Sequence, residues 1–264
     1  MQQKIKDKKM RIGIIGTGAI GSALAEKLSH AEHQVKVTNT QDFAELSKIA
    51  ERLGAKAATL KDVVKDVEAI ILSIPFKAYK DLPKSLLQDV PQDVIIMDTS
   101  NYSPLRDGEL PGLGGKTESE YISEILGRPV VKVFNIVLGH TLKHNGKAAG
   151  EVGRIAISVA ADNDKHKKLA AEIVDQTGFD TVDGGTLTLS WRQEPGTPAF
   201  CTELNADELK GALAEAEKGA APARRDYIID KLMKAERPPS HEETVALMRL
   251  GSSKKSGNRE YVKI

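Results

Sequence analysis

The chain has 264 residues, enough for one large domain or a domain with a smaller lobe. Its 38 Lys and Arg against 37 Asp and Glu leave a net charge of +1, so there is no electrostatic case for nucleic acid or an anionic membrane, and small-molecule partners are expected. The lone cysteine, Cys201, cannot close an intrachain disulfide, which makes a cytoplasmic protein the expectation, and no segment approaches the ~18 apolar residues of a spanning helix.

Residues 1–10 are charged, lack an apolar signal core and read as a flexible, solvated leader. Arg11 to Ile15 reads as a buried strand that delivers the chain into Gly16-Thr17-Gly18-Ala19-Ile20-Gly21. The glycines match the dinucleotide fingerprint G-x-G-x-x-G, each with its own role: Gly16 permits the tight turn, Gly18 leaves room for a pyrophosphate, and Gly21 lets helix and strand pack closely. Ile20, Ala23, Leu24 and Leu28 follow at helical spacing, so the unpaired N–H groups and positive end of a helix face the phosphates.

Val35 and Val37 alternate in a second strand that ends in Thr38-Asn39-Thr40-Gln41. An NAD site usually carries a carboxylate here to bond the ribose hydroxyls, and none is present to repel a 2′-phosphate. NADP is therefore expected over NAD. The usual arginine is also missing, leaving Lys48 or Arg52 of the next helix as phosphate partners.

Phe43, Leu46, Ile49, Ala50 and Leu53 give that next helix, stopped at Gly54, and residues 55–59 a short third strand. Thr59 to Asp62 resembles a capping box for a short helix, and Ala69 to Ile74 is a buried strand ended by Pro75. Val94 to Met97 is another, reached through a helical stretch with proline interruptions. Ser103 to Gly115 reads as an excursion, and Thr117 to Glu120 caps a helix ending at Gly127. Val130 to Phe134, Ile155 to Ala160 and Phe179 to Val182 supply sixth, seventh and eighth strands, with a helix over Lys165 to Thr177. The alternation predicts an α/β, Rossmann-type doubly wound, mainly parallel sheet with ligands at the strands' C-terminal edge.

After Gly184-Gly185 the composition turns helical, with periodic segments over Asn205 to Lys218, Arg224 to Ala235 and Ser240 to Leu250. Their apolar content is too thin for an independent core, so they are expected to lean on the main domain or another subunit. The expected division is a leader over 1–10, a dinucleotide-binding domain over 11–184, and a C-terminal helical substrate or oligomerisation region over 185–264. A homodimer is expected.

Ile14 to Gly21, Ser73-Ile74-Pro75-Phe76, Asp98-Thr99-Ser100-Asn101, Val130 to Asn135 and Gly184 to Leu187, in this order and spacing, resemble the coenzyme F420-dependent NADP oxidoreductase family. That family is related more distantly to pyrroline-5-carboxylate reductases and to the reductase domain of STEAP metalloreductases. The resemblance implies hydride transfer between NADP and a flat acceptor such as a flavin or deazaflavin, or a small imine or carbonyl. It implies Thr17, Gly18, Ala19 and Ile20 at the pyrophosphate, Asn39 and Thr40 at the adenosine ribose or its phosphate, and Ile74, Pro75 and Phe76 at the other ribose. Asn135, Val137 and Gly139 would line the nicotinamide pocket, and Ser73 and Asn101 complete the cofactor set. No catalytic side chain is expected, because hydride transfer asks the protein for stacking and exclusion of water.

His140 could donate a proton to a reduced acceptor, but a helix-surface histidine is the plainer reading. His144 and His166 read as solvated, the histidines are read as having no paired metal-ligand spacing, and no metal site is expected. Gly112 to Thr117 imitates the end of a Walker A loop, with Leu110 where that motif needs a glycine. Trp191 covers an acceptor ring or, preferably, plugs the seam to the helical tail, and Asp98 caps a loop rather than acting as a base. The scarcity of acid–base residues keeps open a non-catalytic NADP(H)-binding redox sensor, and an imine reductase of the proline pathway is a third, weaker reading.

Overall fold

The computed structural model describes residues 9–109 and 113–252, so most of the leader and residues 110–112 of the Walker-like stretch lie outside the described residues. In chain order the strands are β1 (Arg11–Ile15), β2 (Gln34–Thr38), β3 (Lys56–Ala57), β4 (Ala69–Leu72), β5 (Ile95–Asp98), β6 (Val131–Lys132), β7 (Ala156–Ala160) and β8 (Asp180–Gly185). The helices are α1 (Ala19–His30), α2 (Phe43–Arg52), α3 (Leu60–Val63), α4 (Pro104–Asp107), α5 (Glu118–Leu126), α6 (Gly139–His144), α7 (Asp164–Gln176), α8 (Ala206–Glu215), α9 (Ala221–Met233) and α10 (His241–Ser252).

Strand residues alternate between two cores because successive side chains point to opposite faces. Ile12, Ile14, Ala69, Ile71, Ile95 and Met97 enter one cluster, and Ile15, Ile70, Leu72 and Ile96 the other. Both faces are covered, which is why these strands read as continuous apolar runs. They form one eight-stranded sheet in the order β3-β2-β1-β4-β5-β6-β7-β8. The chain winds outward from β1 to β3, returns, and continues from β4 on the other side. The crevice between the loops after β1 and β4 is the topological switch point where ligands bind in such sheets.

Local signals hold at the helix ends. Thr117 and Glu120 exchange both capping-box bonds at α5, Gly127 ends that helix in the left-handed region, and Asp42, Thr59 and Asn163 cap α2, α3 and α7. Two elements depart most from the sequence reading. The stretch after β4 is a 3-10 helix over Phe76–Asp81 followed by turns, because Pro83 and Pro91 deny an α-helix its backbone donors. The sixth strand shortens to two residues, since Phe134 turns the chain away with φ +60°. Lys132 then meets Ala160 in an antiparallel pairing, the one departure from a parallel sheet among the described strands.

Helix α8 packs into the main core through Leu209, Ala212 and Leu213, beside β7 and β8. Ile228 of α9 and Leu247 and Met248 of α10 form a separate cluster with Cys201, against which Leu138 and Phe200 pack. The tail thus leans on its own chain. No described helix is long and apolar enough to cross a membrane.

Candidate functional site

The glycine turn leaves β1 at its C-terminal end. Gly16 has φ +102°, and a Cβ there would lie 2.1 Å from the Ser73 carbonyl oxygen, so neither the conformation nor the space admits a side chain. A Cβ on Gly21 would fall 1.9 Å from the Gly16 carbonyl oxygen, which sets how closely α1 approaches the turn. Gly18, the N-cap of α1, has nothing within 4 Å of a built Cβ. No side chain caps α1 and no acid occupies its first turn, so its first N–H groups have no side-chain partner at a turn where Gly18 and Ala19 are exposed. Ser22 Oγ instead closes the turn from behind, donating to the Thr17 carbonyl at 2.8 Å.

The β2 end is tied to this turn. Asn39 Nδ2 donates to Thr17 Oγ1 at 2.7 Å and to Gln41 Oε1 at 3.1 Å, while its Oδ1 accepts from the Gln41 amide at 2.9 Å. Thr40 is exposed beside it. Lys48 is held by Glu45 at 2.6 Å, and Arg52 closes the far end of α2, about 14 Å along the axis from Phe43. The geometry therefore removes Arg52 as a partner for anything bound at Thr40.

Ser73 and Ile74 border the glycine turn from β4. Pro75 is exposed, but Phe76 is 2% exposed, its ring stacked on Tyr121 with centroids 5.9 Å apart. The Phe76 side chain belongs to the core, so a ligand would meet this segment at Ile74, Pro75 and the backbone. Asn101 and Asn135 are brought together from β5 and β6: Asn101 Nδ2 donates to the Asn135 carbonyl at 2.8 Å, and Asn135 Nδ2 donates to Asn101 Oδ1 at 3.0 Å and the Gln193 carbonyl at 2.7 Å. Val137 is buried, and Gly139 abuts the glycine turn, since a Cβ on it would lie 2.7 Å from Ala19 Cβ. Apart from the Phe76 ring, the expected cofactor residues thus gather along one edge.

Sequence reasoning missed the most charged buried group. Lys132 is fully buried, with Nζ 3.1 Å from Asp98 Oδ2 and 3.8 Å from Glu118 Oε2. Asp98 also accepts from Tyr79 Oη, the Ser100 amide and hydroxyl, and Ser119 Oγ. That makes it a structural anchor for the β5 end, in line with the loop-capping reading. Burial alone would raise its carboxyl, but Lys132 and the Ser100 and Tyr79 donors hold it below the usual range. Burial pushes Glu118 up to about 8 against the pull of Lys132, and burial also raises Glu194, whose Oε1 accepts from the Glu118 amide at 3.0 Å. Glu118 Oε2 has no hydrogen-bond partner. An apolar run containing one lysine, Val130 to Phe134, was the available signal.

His140 is exposed on α6, yet its ring lies 4.8 Å from that of His144 and 4.2 Å from that of His241. His140 and His144 are four apart on one helix, a pairing the sequence reading overlooked, and His241 Nε2 sits 2.7 Å from Glu203 Oε1. No group among the described residues is arranged to hold a metal ion. Trp191 is half-buried in the 3-10 segment Leu187–Gln193, with the Arg192 guanidinium 5.7 Å over its ring.

Two cavities flank the sheet. A broad one of about 1000 Å³ lies at the strands' N-terminal edge, around Arg11, Glu68 and Val94, away from the glycine turn. The other, about 250 Å³, opens beside Asn101 and runs beneath α9 and α10; Trp191 does not line it.

A family model described as NADP oxidoreductase, coenzyme F420-dependent, matches residues 11–102. Protein YjhV of Escherichia coli (strain K12) is 34% identical over 102 residues, which is 39% of this chain and 74% of that protein. The solved structure of the hypothetical protein SMa0349 from Sinorhizobium meliloti superposes with a TM-score of 0.63 at 29% identity, over 78% of this chain and 99% of its own. A candidate F420-dependent NADP-reductase of Arthrobacter sp. FB24 gives a TM-score of 0.54 at 21% identity, over 69% of this chain and 87% of its own, a likeness of fold.

Proposed function

Because the chain belongs to the coenzyme F420-dependent NADP oxidoreductase family and is an NAD(P)-dependent oxidoreductase, we propose that it binds NADP(H) along the edge built here and passes a hydride to a small-molecule acceptor beside Asn101 and Asn135. The observation that carries this reading is the fit of the turn: an uncapped α1 N-terminus, without an acid in its first turn, facing the open space at Gly18.

In this reading Thr17, Gly18, Ala19 and Ile20 hold the pyrophosphate between Gly16 and Gly21. Exposed Thr40 meets the adenosine ribose and its 2′-phosphate with its hydroxyl, and Asn39, whose Nδ2 donates to Thr17 and Gln41, fixes the loop beneath them. Ser73, Ile74, Pro75 and the Phe76 backbone border the second ribose. Asn101, Asn135, Val137 and Gly139 shape the nicotinamide end, where the asparagine pair fixes the backbone and Gly139 keeps α6 close to α1. When bound, the dinucleotide supplies the hydride; the chain's part is to orient the two partners and exclude water. The acceptor is a flavin, a deazaflavin or a small imine or carbonyl, held under the C-terminal helices of residues 185–264. A cytoplasmic homodimer belongs to the same reading: buried, unpaired Cys201 suits a reducing compartment, and Met233 on α9 is 74% exposed.

Titration of the pure protein with NADPH and NADH tests the core of it. Submillimolar binding of NADPH, tighter than NADH, is expected; failure of both to bind below the millimolar range refutes the reading. The sensor alternative draws on the internal pairing of the Asn135 amide, which leaves it no free donor for chemistry. NADPH consumption with any of a panel of flavins, deazaflavin, imines and ferric chelates rules that alternative out.

A further inference from the structure

The 250 Å³ pocket shares Asn101 with the expected nicotinamide end. Its far walls are apolar, formed by Phe200, Ile228, Ile229, Leu232 and Met248, so the helical tail provides the roof. Two guanidinium groups, Arg106 and Arg225, lie in its lining, and no carboxylate does. Arg106 is already engaged by Asp107 and the Asn101 carbonyl. Arg225 is less engaged, though its charge also reaches the largely buried carboxyl of Glu194. Its Nε and Nη2 both approach one oxygen of Asp226, a carboxylate 60% exposed to water, and its guanidinium lies 5.6 Å over the Tyr102 ring. A pair whose carboxylate is that open to water contributes little, and five N–H donors are not exhausted by one oxygen.

We propose that this pocket holds the hydride acceptor, and that the acceptor is a small molecule with an apolar body and a single carboxylate directed at Arg225. The assignment rests on the hydride-transfer reading and narrows its substrate class. At about 250 Å³ the cavity lies just below the ~300 Å³ at which sites for drug-sized ligands begin, which favours a small acceptor body. The apolar wall desolvates the body of the ligand, and the low local dielectric strengthens the one charge-assisted contact at the rim. In turnover the acceptor's C=O or C=N carbon gains the hydride, its heteroatom takes a proton from solvent, and NADPH leaves as NADP⁺.

Binding to the NADP⁺-saturated protein, followed by calorimetry, tests this with isovalerate, 3-phenylpropanoate and 3-phenylpropanamide against wild type, Arg225→Met and Ile229→Trp. The carboxylates are expected to bind at least tenfold tighter than the amide, and Arg225→Met to remove that preference with NADP⁺ affinity unchanged. Ile229→Trp, on a half-buried wall position, fills the pocket and is expected to abolish binding of all three while melting within a few degrees of wild type. Wild-type binding of no carboxylate, or equal binding in both variants, overturns the proposal while leaving NADP⁺ binding, and the broader reading, intact. Riboflavin binding that Ile229→Trp does not disturb also overturns it. Loss of NADP⁺ binding by the wild type itself would instead sink the hydride-transfer reading and the acceptor's role with it.

Discussion

Replacing Glu118 with glutamine asks whether the carboxyl beside Lys132 is stored as a neutral acid. In the unfolded chain this carboxyl ionises near 4.5, whereas burial holds it to about 8 in the fold. Between those values the unfolded state has released a proton that the native state keeps, so ν_U is smaller than ν_N and stability falls as pH rises. One proton bounds the slope at about 1.4 kcal/mol per pH unit, or about 2.7 kcal/mol between pH 5.5 and 7.5. Glu194, whose carboxyl touches the Glu118 amide, shares the proton and lowers the expected value to roughly 1–2.7 kcal/mol. Glutamine has the shape of the protonated acid and does not titrate. Urea unfolding of both proteins at pH 5.5, 6.5 and 7.5 should therefore show Glu118→Gln gaining on wild type at each step. The reasoning is refuted if Glu118→Gln is destabilised by the same amount at every pH, about 3–5 kcal/mol as for a broken buried ion pair, because Glu118 would then be the ionised partner of Lys132.

The glycines separate binding from folding. Gly21→Ala puts a Cβ 1.9 Å from a carbonyl oxygen and should cost about 2–4 kcal/mol in urea unfolding, while Gly18→Val, with open space around it, should fold within about 1 kcal/mol of wild type yet lose NADPH binding. Thr40→Glu, at an exposed site, should leave stability within about 0.5 kcal/mol and weaken NADPH at least tenfold relative to NADH in parallel titrations; an unchanged ratio would remove Thr40 from the phosphate site. Cys201 is 4% exposed and burial pushes its thiol up, so a disulfide reagent such as DTNB should label it only as fast as the surrounding structure opens, with a rate that rises in urea; rapid labelling of the native protein would refute its burial.

Legibility followed sequence distance. The glycine turn, the strands and the caps at Thr59 and Thr117 are read from patterns that close within about four residues, because turn conformation and helix capping are local. The strand edge was legible for a related reason: parallel alternation sends the strand ends to one side, so Gly16, Asn39, Ser73 and Asn101 could be placed on it before their contacts were known. The Phe76 ring was not legible, since an aromatic after a strand carries the same sequence signal whether it faces a ligand or Tyr121.

By itself the sequence determined a doubly wound sheet with a G-x-G-x-x-G turn between its first strand and first helix. Only the tertiary structure decided that Lys132 meets Asp98 across 34 positions and Glu194 meets Glu118 across 76, that His241 lies on His140, and that α8 joins the main core while α9 and α10 roof a pocket. The physical reason is that burial and pairing of charges depend on which elements pack together. Periodicity identifies a face that must be covered, and chain topology selects what covers it.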